Sequence, residues 1–347
     1  ACDDLRENNW DQINTQIYLH LFENQMKNQI DGNKFYELIN TFKFDGGRER
    51  IQDKSFRDQI QETIKKFKER EVVPLLYCAK TYLEPATSFE FIYNLVPFTE
   101  LTAYNAASEI LLELSPQVNI KEFILNLKPE DSINHSLLLN SLPLPLKEDK
   151  EIIFFIFQCV KSEFVLNRIA FLNLACRLKQ QNPPISPNLY NMIKQTVEKL
   201  FADNQSAVQS FWLKAAFLYL KDISNFSSMI GSLIKNGDVE VKAALALRFN
   251  ETMQVTKDAL NLIKDKNTRV VAATIPFAAQ MKNLSEADLS PIFACPSSLV
   301  RILALRHFES IPEHFVKEYM KDTSTEVRIE LIHFLGKFKN GLVYLQQ

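Results

Sequence analysis

The sequence predicts an all-α chain, arranged as an α-α superhelix of stacked helix pairs, and three observations carry that expectation. Only 7 of 347 residues are glycine, so left-handed turns, strand bulges and glycine-rich phosphate loops are scarce. In "KSFRDQIQETIKKFKER" the apolar residues Phe56, Ile60, Ile64 and Phe67 are spaced by three or four, the stripe of an amphipathic helix with charges on its other faces. Through the C-terminal half, a short helix, a turn and a second helix recur about every 30 residues. With 46% apolar residues the chain has ample material for a continuous core.

From the beginning, the segments read as follows. "ACDD" resembles the processing site of bacterial lipoproteins, in which the signal peptide is removed just before a lipid-modified cysteine. That resemblance implies acylation of Cys2, a polar tether over residues 1–8 and a location at the bacterial cell envelope. Residues 9–130 read as an irregular helical cap covering the first repeat, since a terminal unit must present a polar outer face. Within it, "FKFDGGRERIQDK" holds Gly46 and Gly47 and reads as a mobile loop.

Residues 131–226 read as degenerate helical repeats. A helix over 132–141 is separated by "NSLPLPLKEDK" from one starting near 149 that contains "IIFFIFQCV". That run is half the length of a membrane span and is expected to be buried. In "SEFVLNRIAFLNLACRL" Ser162 stands three residues before Val165, and "SAVQSFWLKAAFLYL" reads as another second helix. Between them Pro183, Pro184 and Pro187 impose a longer loop, read as an insertion within one array. Phe154, Phe155, Phe157, Phe171 and Phe211 are expected in the core.

Residues 227–340 carry the clearest repeats. Val327 has equivalents at Val300, Val270 and Val241, at separations of 27, 30 and 29 residues. Three residues before each anchor is an N-cap type: Ser324, Ser297, Asn267 and Asp238. Further upstream an apolar pair closes a shorter helix: Leu233–Ile234, Leu262–Ile263, Ile292–Phe293 and Tyr319–Met320.

This arrangement resembles the HEAT repeat of the armadillo-like α-solenoids, best over residues 227–338, whose pattern has Asp in the turn and then Val followed by Arg or Lys. The acidic column reads Asn236, Asp265, Cys295 and Asp322; the basic column reads Lys242, Val271, Arg301 and Arg328. The resemblance implies a structural ladder between the two columns, one continuous solenoid, and a concave face lined by second helices that binds another protein or peptide. On that face Arg248, Arg306, His307 and His333 are the candidate partner contacts.

Chemistry is sparse. The histidines His20, His135, His307, His314 and His333 form no HExxH signature, and no GxSxG, P-loop or dinucleotide fingerprint occurs. Glu313-His314 is the nearest approach to the repeated His-Glu pairs of di-iron HEAT-like enzymes, once and in reverse order. No cofactor, metal or catalytic residue is therefore expected. Cys78, Cys159, Cys176 and Cys295 sit in apolar settings as buried thiols, with Cys159 and Cys176 the one pair considered for a bridge. A formal charge of −2 removes the global attraction that non-specific nucleic-acid binding needs. The alternative is a cytosolic HEAT-like protein that binds nucleic acid or excises damaged bases, with Trp212 and the cations of the second helices in a basic groove. The leading expectation is a non-enzymatic binding scaffold.

Overall fold

A computed structural model of the chain describes residues 73, 76, 79, 80, 84–94, 101–128, 132–252, 259–281 and 284–337. The tether at 1–8 with Cys2, the Gly46–Gly47 loop, the 56–67 stripe, His20 and Cys78 lie outside the described residues. Among the described residues there are sixteen α-helices and no strand, so the class is all-α. None of these helices is long and apolar enough to cross a membrane.

The chain divides into two compact units between Ser186 and Pro187. That division falls inside the segment expected as degenerate repeats, at the proline-rich loop read from sequence as an insertion. Pro187 is the first residue of the helix that follows, a position where its missing amide proton costs no helical hydrogen bond.

The first unit contains α1 (Pro85–Asn94), α2 (Leu101–Leu114), α3 (Ile120–Leu125), α4 (Ser132–Ser141), α5 (Lys150–Val160) and α6 (Val165–Gln180). Helices α2, α4 and α6 pack side by side in chain order, while α3 packs on α5, and α5 on α4 and α6. Asp149 caps α5 by accepting from the Glu151 amide at 3.1 Å. Lys121 bonds both Asp149 (2.9 Å) and Glu151 (3.2 Å), tying α3 to the start of α5. Arg177 of α6 donates to the carbonyls of Leu139 (3.2 Å) and Leu142 (3.0 Å), satisfying acceptors that the end of α4 leaves open. Burial lowers the Arg177 pKa to about 10, which still leaves it charged at neutral pH.

The second unit contains α7 (Pro187–Lys199), α8 (Ser206–Tyr219), α9 (Phe226–Asn236), α10 (Val239–Thr252), α11 (Leu260–Ile263), α12 (Thr268–Gln280), α13 (Glu286–Phe293), α14 (Ser298–His307), α15 (Glu313–Met320) and α16 (Thr325–Gly336). Each even-numbered helix packs on its predecessor, and α8, α10, α12, α14 and α16 pack in succession as a second layer. In the first layer α11 packs on α13, and the Tyr319 hydroxyl of α15 donates to the Phe293 carbonyl at the end of α13 at 2.6 Å.

The anchors explain this stacking. Val241, Val270, Val300 and Val327 are all at most 1% exposed, so each second helix turns the same face inward. A file of edge-to-face aromatics crosses the unit from Phe226 through Phe217, Phe249 and Phe277, with ring centroids 5.2 to 6.2 Å apart. Such pairs add about 0.5–1.5 kcal/mol each beyond the area they bury. The last repeats share a cluster of Leu305, Val316, Tyr319, Val327, Leu331, Phe334 and Leu335.

Some expectations hold and others need correction. Asn267 and Ser324 cap their helices through the side chain, whereas Ser297 sits at the N-cap without a side-chain bond. Phe155 and Phe171 are core, but Phe154 is 70% exposed and Phe211 46%. A run as apolar as "IIFFIFQCV" does not reveal which of its faces is turned outward. Cys159, Cys176 and Cys295 are buried free thiols, so the first two are not bridged. Burial pushes the Cys159 thiol up to about 12, which makes it a poor nucleophile.

Candidate functional site

The second-helix layer of the second unit rests on a set of turn bonds. In the connections before second helices, a side chain accepts from the amide two residues on: Ser162 from Phe164 (3.1 Å), Asp203 from Gln205 (2.9 Å), Asp265 from Asn267 (2.8 Å) and Asp322 from Ser324 (2.8 Å). These local turns fix where each helix starts. A side chain six residues further on reaches back to the same turn's carbonyl in four places. Arg168 bonds Ser162 (2.8 Å), Gln209 bonds Asp203 (2.8 Å), Arg301 bonds Cys295 (2.6 Å) and Arg328 bonds Asp322. The turn motif therefore recurs in both units, including connections where the sequence shows only a loose period.

Between repeats the basic column pairs with the acid of the next turn. Lys242 Nζ lies 3.0 Å from Asp265 Oδ2, and Arg301 grips both oxygens of Asp322 at 2.7 and 2.8 Å. The Arg301 and Asp322 side chains are only 12% and 7% exposed. Burial pushes the Asp322 pKa up, but the Arg301 bonds, the Ser324 amide and the nearby Arg328 charge outweigh it and hold the carboxyl below its usual range. Val271 and Cys295, only 3% and 5% exposed, occupy the two columns at the rung between these pairs. The missing base of one repeat and the missing acid of the next are thus a single exchange of an ion pair for two apolar side chains. Asn236, a neutral amide, is exposed at the end of α9 and cannot supply the carboxylate of a rung. Arg328 uses its guanidinium on its own turn, including Thr325 Oγ1 at 3.1 Å.

Above the ladder, one face of the second helices is turned to solvent, with only Pro276 of its residues half-buried. The residue before each anchor and the residue six after it are seven apart, hence on one side of the helix. They are Glu240 and Leu247, Arg269 and Pro276, Leu299 and Arg306, and Glu326 and His333. Leu247 is 48% exposed and Leu299 is 59% exposed. Polar side chains on this layer link neighbouring helices: Glu240 with Arg269 at 3.1 Å, Asn250 with Gln280 at 2.9 Å, and Arg306 with Glu330 at 2.9 Å.

The candidate contacts therefore divide. Arg306 and His333 share one repeat position and lie near the same carboxylate: Arg306, opposed by burial and helped by the charges of His333 and Lys337, lowers the Glu330 pKa. Arg248 pairs within its own helix with Glu251, and His307 is exposed at the end of α14. Ile329 and Ile332 are also exposed. The positions equivalent to Ile332 are Ala246, Ile275 and Leu305, all fully buried, each on a helix followed by another second helix. Among the described residues none follows α16.

The ingredients of the base-excision reading are arranged differently. Trp212 is fully buried, its Nε1 donating to the Val197 carbonyl at 2.6 Å, and a ring held there does not stack on a base. Glu313 pairs with Lys317 at 2.9 Å, and His314 lies 3.6 Å from Glu286. Among the described residues no group of three or more His, Cys, Asp or Glu is gathered to hold a metal ion. Comparison with known protein families and with curated proteins finds no match for this chain.

Proposed function

We propose that this chain is a non-enzymatic, HEAT-like binding scaffold that takes another protein or peptide on the exposed face of its second-helix layer. The observation that carries this reading is the repeated column containing Leu247, Pro276 and Leu299, with Leu247 and Leu299 about half exposed, flanked by charges already paired with one another. Apolar side chains between satisfied ion pairs suit a partner that brings its own apolar surface. A polyanion would need cations free to displace its counterions, and Lys242, Arg248, Arg269, Arg301 and Arg306 are each engaged by a carboxylate. Anchorage to a bacterial envelope through a lipid on Cys2 is a separate part of the proposal and rests on the "ACDD" segment alone.

The test is co-purification of the full-length protein, extracted from membranes, as wild type and as Leu247→Glu/Leu299→Glu. The expected result is one stoichiometric protein partner retained by the wild type and lost by the variant, with helical circular dichroism unchanged. Duplex DNA binding that falls steeply with salt and disappears in Arg248→Glu/Arg306→Glu would overturn this reading in favour of a nucleic-acid-binding chain.

A further inference from the structure

In the first unit, helices α3 and α5 enclose an open groove of about 640 Å³ whose lining includes Ile124, Leu125, His135, Phe154, Phe155 and Gln158. Leu125 and Phe154 are among the most exposed large apolar side chains of the described residues, at 63% and 70%, and both line this one groove. Phe155 and His135 meet edge to face at 6.1 Å and form its wall. Two large apolar side chains facing water across one depression are unusual on a helix surface unless something covers them.

The charges at the rim specify what that is. Glu151 lines the groove but is held by Lys121 at 3.2 Å. Lys150, the first residue of α5, and Lys161, just past its last, also line the groove, and neither pairs with a carboxylate among the described residues. Eleven residues of helix at 1.5 Å each set these cations roughly 16 Å apart. A fatty acid or similar small amphiphile is served by an enclosing pocket and one cation, since small-ligand sites bury most of their ligand. An open trough with a cation at each end instead matches the side of a helix about three turns long.

We propose that the groove between α3 and α5 docks an amphipathic helical segment of another protein, with apolar residues at i, i+3 or i+4, and i+7 facing Leu125 and Phe154 and an acidic residue near each end facing Lys150 and Lys161. This site belongs to the first unit and does not depend on the second-helix face proposed above.

The experiment selects a helix-biased library of random 16-residue peptides displayed on phage against the full chain, with Phe154→Glu as the counter-selection. The best peptides are then measured by fluorescence polarisation. Enriched sequences are expected to carry the apolar pattern with Asp or Glu toward both ends. Phe154→Glu should weaken them by at least about thirtyfold, the loss typical of a buried interface anchor. Lys150→Glu/Lys161→Glu should weaken them by about tenfold and show a smaller salt dependence. Leu125→Lys gives a second disruption on the other helix, and all the substituted side chains are exposed, so circular dichroism and thermal melting should match the wild type. The proposal is overturned if wild type and Phe154→Glu enrich the same sequences, if nothing helical is enriched, or if the enriched peptides bind equally well after the double lysine reversal.

Discussion

Asp322 performs three tasks at once: it caps the turn through the Ser324 amide, lends its backbone carbonyl to Arg328, and receives Arg301 from the preceding repeat. Removing one partner of a buried, doubly bonded ion pair costs about 3 kcal/mol, because the other charge is left desolvated. Asp322→Asn is therefore expected to lower stability by about that amount at pH 7 in urea or thermal unfolding. The folded carboxyl titrates below its unfolded value of about 3.9, so its contribution is fully present above that pH and is lost as pH falls through the folded pKa. The gap between wild type and Asp322→Asn should accordingly narrow as pH is lowered from about 5 toward 3. A gap that stays constant would mean that the Arg301 pair does not set the Asp322 pKa. The Asp is legible in the sequence as part of a column, but its link to the repeat before it is not, because a spacing gives no direction of bonding.

At the scale of the helix, equivalent positions behave according to the neighbour that covers them. Ile275 and Ile332 occupy the same place in their repeats, yet one is fully buried and the other half exposed. Ile275→Ala should cost about 2–4 kcal/mol through lost burial and the cavity left behind, and Ile332→Ala less than about 1. Equal losses in chemical denaturation would show that α16 is covered at this position after all. The apolar rung gives a sharper test. Val271→Arg alone places an unpaired cation in a buried site and should destabilise by about 3 kcal/mol. Adding Cys295→Asp recreates the pair seen on either side, and a double-mutant cycle should return a favourable coupling of about 1–3 kcal/mol. No coupling would mean that the rung geometry is not shared between these repeats.

Across the whole molecule, charge is organised more than it is abundant: 40 basic and 42 acidic residues nearly cancel, and many cations of the second unit pair across adjacent repeats. Four of the exposed large apolar side chains fall at two places, Leu247 and Leu299 on the second-helix column of one unit and Leu125 and Phe154 in the α3–α5 groove of the other. The envelope location proposed from "ACDD" is a property of the full-length product and is tested there. Metabolic labelling with an alkyne fatty acid should mark the protein and move it to the membrane fraction, and Cys2→Ala should abolish both. Labelling that survives Cys2→Ala would refute lipidation at this site.

The all-α class, the ends of α4, and the four anchored repeats were legible from residue order alone, because helix propensity, capping and a buried face every 3.6 residues are local properties. The break at Ser186/Pro187 was visible as a cluster of prolines, but its standing as the division between two compact units was not, since compactness depends on contacts distant in sequence. The tertiary structure also decided which phenylalanines of an all-apolar run face water, that Trp212 is interior, and that a lost base and a lost acid are one rung. Each of these depends on which neighbour lies across from a side chain, and that neighbour is supplied by packing between helices rather than by the residues adjacent in the chain.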